Sequence, residues 1–115
     1  MFRLQSGVRL FKLRIAMTDD DTLRRRARQR IEALGPTRDG DALGNQRADI
    51  ARLYREAGDK EEAITWYLEA AAQAEFSEQT MICPVYFREA LVVDPTSARA
   101  LAARERFSKK WGFGI

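Results

Sequence analysis

The chain has 115 residues, 45% hydrophobic and 32% charged, with a formal net charge of +3, which suits one soluble, mostly helical domain with little core to spare. It contains no histidine and one cysteine, Cys83, so disulfide frameworks, zinc fingers and histidine-dependent triads are excluded. No apolar run reaches the roughly 18 residues of a membrane span, and the composition fits a reducing cytoplasm.

Residues 1–17, MFRLQSGVRLFKLRIAM, differ from the rest of the chain: Arg3, Arg9, Lys12 and Arg14 are accompanied by no acid. From Phe11 to Met17 apolar and basic residues alternate like a strand that has nothing to pair with. Without a continuous apolar core or a small-residue cleavage site the segment is a poor secretory signal. Two readings stand: an extension upstream of a natural start at Met17, outside the core, or a basic amphipathic arm for a membrane surface or partner.

The domain proper spans residues 18–110. Thr18 to Asp21 supplies capping residues and acids suited to a helix N-terminus. Leu23, Ala27, Ile31 and Leu34 then form a narrow apolar stripe, with Arg24, Arg25, Arg26, Arg28 and Arg30 on the other faces and Gly35-Pro36 as the stop. Several guanidinium groups on one helix could neutralise phosphates. Flanked by Asp19, Asp20, Asp21 and Glu32, with no aromatic or Gly-rich phosphate motif, they read first as the solvated face of a terminal helix. Thr37 to Gly40 is a loop, after which Asp41 caps a helix that ends at Ala57.

The clearest pattern lies between Ala48 and Ala71. Ile50, Leu53, Tyr54 and Ala57 recur at helical spacing, Gly58 interrupts them, and Ala63, Ile64, Tyr67, Ala70 and Ala71 begin a second stripe. Gly58 closes the first helix in the left-handed conformation, Asp59 caps the second, and Glu62 completes a capping box. So short a connection makes the helices antiparallel neighbours.

Arg47, Ile50, Ala51 and Tyr54, the Gly58-Asp59 turn, then Ala63, Tyr67 and Ala70 resemble the tetratricopeptide repeat, whose unit carries Trp-x2-Leu-Gly-x2-Tyr, then Ala-x3-Phe, then Pro. Arg47 departs from that pattern, which places a large apolar side chain there. A second copy is set on Cys83, Phe87, Ala90 and Asp94-Pro95, but Ala63 and Cys83 are only twenty residues apart. The helix from Lys60 to Glu75 would then serve two units. A third unit fails at Arg104 and Glu105, so the resemblance covers residues 45–103.

Beyond Glu75, Phe76-Ser77-Glu78 reads as a turn with Ser77 as a cap. Pro84 either kinks a helix or starts one that runs to Val93. Asp94 caps a last helix with Pro95 in its first turn, and Ala100, Ala103, Phe107 and Trp111 mark its inner face. Residues 111–115 form an apolar tail whose Trp111, Phe113 and Ile115 fold back on the stack or dock on another copy. Cys83 sits where a small buried residue is wanted and reads as packing.

The resemblance implies an all-α fold of about five helices, antiparallel hairpins stacked as a short right-handed superhelix. It implies a non-catalytic scaffold or adaptor that holds a protein or peptide in a helical groove. The groove would be lined by Asn45, Ala48, Arg52 and Arg55, joined by Leu68, Ala72 and Glu75, with the arginines favouring an acidic peptide. Ala48 and Ala72 do not match the Lys and Asn set with which some members clamp a terminal carboxylate. No metal or cofactor site is expected. The other readings are binding of nucleic acid or an anionic membrane through the basic ends, and self-assembly through the tail.

Overall fold

The computed structural model describes residues 19–35 and 40–112. Outside the described residues lie the expected amino-terminal segment, the Thr18 cap, most of the Thr37 to Gly40 loop, and two of the tail positions, Phe113 and Ile115. The described chain is all-α, without a strand. Its helices are α1 (residues 19–33), α2 (Asn45–Glu56), α3 (Lys60–Phe76), α4 (Cys83–Val93) and α5 (Ala98–Trp111), with a turn of 3-10 helix at Thr80–Ile82 before α4.

In α1 the stripe is as narrow as its sequence spacing: Ala27 is fully buried and Ile31 and Leu34 partly so, against Ile50, Tyr54 and Ala63. Asp19 and Asp20 are helical. At the start of α2, Asp41 acts at a distance: its carboxylate accepts from the backbone N–H of Gln46 (3.0 Å) and Arg47 (3.4 Å) and from Arg47 Nη1 (2.7 Å). Two of the donors that a helix N-terminus leaves without an internal partner are thereby satisfied. The arginine that breaks the repeat pattern is thus buried and charge-paired rather than apolar.

The α2–α3 turn closes as the sequence predicts. Gly58 adopts φ +83°, its N–H donates to the Arg55 carbonyl (3.1 Å), and the Asp59 N–H reaches back to Tyr54 (2.9 Å), which together make a Schellman closure. The expected capping box does not form. Asp59 makes no side-chain cap bond, because its carboxylate is taken by Arg24 of α1, at 2.7 Å from Nε and 3.2 Å from Nη2.

Two further boundaries differ from the sequence reading, and at Pro84 one of its two alternatives holds. Phe76 remains helical and Ser77 ends α3 instead of starting α4, with Glu78 at φ +60° in the turn. Pro84 lies in the first turn of α4, where its missing N–H costs no hydrogen bond, so it starts the helix without kinking it. Asp94 ends α4 and folds its carboxylate onto Thr96, while Ser97 caps α5 by accepting from the Ala100 N–H (3.3 Å). Ser97 wins because Pro95 leaves Asp94 an extended backbone and no neighbouring donor before Thr96.

Cross-helix bonds set the directions. Tyr86 of α4 donates to the Leu43 carbonyl at the start of α2 (2.6 Å) and Glu89 meets Arg55 at its end (3.1 Å), so α2 and α4 run parallel. Arg99 of α5 meets Glu61 and Thr65 of α3, and Trp111 meets Glu75, so α3 and α5 run parallel. The two pairs make two layers, and α3 packs against both α2 and α4.

A shift of 36 residues carries much of one buried set onto the other: Arg47, Ile50, Ala51 and Tyr54 become Cys83, Tyr86, Phe87 and Ala90, and Ile64, Tyr67 and Ala71 become Ala100, Ala103 and Phe107, whereas the buried Ala63, Ala70, Gln73 and Ala74 fall on exposed Arg99, Arg106, Lys109 and Lys110. The second hairpin is therefore α4–α5, and Cys83, Phe87 and Ala90 belong to its first helix. The helix α3 packs against both α2 and α4, as expected of a helix shared between two neighbours; what differs is the alignment, since Cys83, Phe87 and Ala90 match positions of α2 and not of α3. The same shift turns Leu68 and Ala72 into Arg104 and Ser108, which gives the outer side of α5 a polar, terminal face.

Candidate functional site

The residues expected to line one groove occupy two surfaces. On the α2–α4 side stand Asn45, Arg52 and Arg55, while Ala48, expected beside them, is fully buried in the main core. Arg52 bonds Asp49 (3.0 Å), whose other oxygen lies 3.5 Å from Arg30, and Arg55 bonds Glu89. The buried Tyr67 hydroxyl makes no hydrogen bond of its own. It lies close enough to the Arg55 guanidinium to raise its pKa, as, to a smaller extent, does the Glu89 carboxylate. Both arginines thus already hold acids of this chain, so an acidic ligand there has to displace Asp49 or Glu89.

On the other side, Leu68, Ala72 and Glu75 line a cleft of about 400 Å³ between α3 and α5. Leu68, Ala71 and Ala72 of α3, Ala102, Ala103 and Phe107 of α5, and Phe87 of α4 make its apolar walls and floor. Cross-helix bonds close both ends. At one, Arg99 binds the Glu61 carboxylate (3.0 Å) and carbonyl (3.1 Å) and Thr65 (2.9 Å). At the other, Glu75 accepts from Trp111 Nε1 (2.9 Å) and pairs with Lys110 (3.3 Å). Between these clamps Glu69 and Arg106 stand on opposite lips, and neither has a carboxylate or cation partner among the described residues.

The sequence reading had Leu68, Ala72 and Glu75 but missed Glu69, Phe87, Ala102 and Arg106. The signal that finds them is the 36-residue shift, because it stands α5 beside α3. Trp111 is 39% exposed and tied to its own chain through Glu75, with its ring centroid 6.4 Å from that of Phe107 and Lys110 Nζ 5.2 Å over it.

Cys83 is buried and its thiol donates to the Ala71 carbonyl (Sγ···O 3.4 Å). Burial first, and the nearby Glu75 charge second, push its pKa up to about 11. A thiol held protonated is a poor nucleophile and metal ligand. Among the described residues no group of histidine, cysteine or carboxylate side chains could hold a metal ion, and no helix is long and apolar enough to cross a membrane. Compared with known proteins, the chain matches no family model, no curated protein and no solved structure.

Proposed function

We propose that this protein is a non-catalytic scaffold or adaptor that holds a protein or peptide partner against its helix stack. In its finer geometry we read the stack as a short tetratricopeptide-like right-handed superhelix working in a cytoplasmic setting. The carrying observation is the α3–α5 cleft, whose apolar floor lies open between two clamped ends. An apolar cavity with a few placed charges is what a partner's side chains fill. The recurrence of buried positions between the two hairpins supports the repeat reading, since stacked hairpins bury a continuous core and leave extended surfaces for binding.

The test is a photo-crosslinking amino acid at Ala102, which faces the cleft, against one at Gln29 on exposed α1. A discrete, reproducible protein adduct from position 102 and none from 29 is expected. The same adducts from both positions would refute the reading.

One observation favours a second reading: Arg25, Arg26 and Arg28 of α1 are exposed and have no acidic partner among the described residues. Binding of nucleic acid or an anionic membrane there would weaken steeply with salt. Self-assembly through Trp111, Phe113 and Ile115 is compatible with the first reading.

A further inference from the structure

The α3–α5 cleft carries more information than an apolar floor. Both lips are helices, whose backbone donors and acceptors are used internally, so the cleft offers no strand edge for an extended peptide to pair with. An occupant that leaves water here has to satisfy its own backbone, and a helix does. The distance between the clamps, from Thr65 to Glu75 along α3, is about 15 Å at 1.5 Å per residue. That length takes about three turns, with one row of large side chains over Ala71, Ala72 and Ala102.

Charge then assigns the flanks. Every other charged residue reaching across from α3 to α5 is paired: Glu61 with Arg99, and Glu75 with Lys110. Glu69 and Arg106 face the same opening from opposite helices without bonding each other. A docked helix meets one negative and one positive lip.

We infer that the α3–α5 cleft binds a single amphipathic helical segment of a partner protein, about three turns long, with a basic flank on Glu69 and an acidic flank on Arg106. This rests on the scaffold reading above and specifies the chemistry of its partner.

The experiment uses three labelled helical peptides of about twelve residues that share one leucine ridge and differ in their flanks: base and acid, base and base, acid and acid. Anisotropy is measured with the full chain and with Glu69→Arg, Arg106→Glu and Ala72→Trp, all exposed positions. The parent should prefer the base-and-acid peptide by about fivefold, a size set by solvent-exposed ion pairs. Glu69→Arg should move the preference to the acid-and-acid peptide, and Arg106→Glu to the base-and-base peptide. These single changes are informative even if a peptide reverses its direction in the cleft. Ala72→Trp, by filling the floor, should weaken all three, and Ala102→Trp serves if the first variant loses its helicity.

An unchanged ranking in both charge variants overturns the flank assignment. If the filling variant nevertheless abolishes binding, the cleft itself still stands as the site. Full binding by the filling variant removes the cleft and the scaffold reading built on it. A dimer seen by sedimentation that excludes the peptides and is broken by Ala72→Trp makes a second copy the occupant and overturns the partner helix.

Discussion

Gly44→Ala tests the packing most directly, because two costs fall on one atom. Gly44 sits at φ +75° where α2 begins, and a Cβ there would lie 2.4 Å from the Ala70 carbonyl oxygen and 3.0 Å from its carbon. The left-handed conformation alone costs a non-glycine residue about 1 to 2 kcal/mol. The contact adds a second term, since the obstacle is the backbone of α3 and cannot rotate away. Pushing α2 off α3 resembles overpacking a core, about 1 to 3 kcal/mol.

Gly58→Ala supplies the control, with a similar φ of +83° and nothing within 4 Å of its added Cβ. It should show the conformational cost alone. The difference between the variants, about 2 kcal/mol, corresponds to roughly 8 to 16 °C in melting temperature for a domain of this size. Circular-dichroism melts of both against the parent decide it. Equal melting temperatures would show that α2 does not approach α3 at Gly44 as described.

Alkaline pH should destabilise the fold in two stages. The buried Cys83 thiol and Tyr86 hydroxyl have pKa values raised to about 11 and about 12, so both stay protonated in the folded chain after they ionise in the unfolded one. Their contribution is complete below pH 9, falls between about pH 9 and 11 for Cys83, and falls between about pH 10 and 12 for Tyr86. Each shift is worth about 3 kcal/mol at most. Urea midpoints should decline across that window, and Cys83→Ala should remove the earlier stage; an identical pH profile would contradict the burial. Asp41→Ala should cost about 3 kcal/mol in chemical denaturation, because it strands the buried Arg47 charge and two N-terminal donors of α2; a loss under 1 kcal/mol would mean that water replaces the carboxylate. Sedimentation over a concentration range should show weak self-association that fades when residues 111–115 are deleted. A strict monomer at high concentration rejects the tail as an interface.

Much of the fold was legible because helix formation and closure are local. Ile50, Leu53 and Tyr54 repeat within one turn of each other, Gly58 needs only its own conformational freedom, and the buried set of α3 follows its apolar spacing. The errors fell where two local solutions compete: Asp94 and Ser97 both qualify as caps, as do Ser77 and the turn before Cys83. Asp59 is a more instructive case. Its position is that of a cap, but Arg24, thirty-five residues earlier, offers a charged two-point partner that outbids the backbone N–H groups.

The sequence by itself determined the helical class, the hairpin at Gly58, the polar end at Arg104 and the absence of histidine chemistry, since periodicity, turn residues and composition act over a few neighbouring positions. Only the tertiary structure decided which helices stand side by side. That choice packed α3 on both α2 and α4, set α2 parallel to α4 and α3 parallel to α5, split the expected groove into two surfaces, and placed Glu69 opposite Arg106 across an apolar floor. The physical reason is distance along the chain: these contacts join residues about 36 positions apart, and their geometry depends on how closely small side chains such as Ala51, Ala70 and Gly44 let whole helices approach.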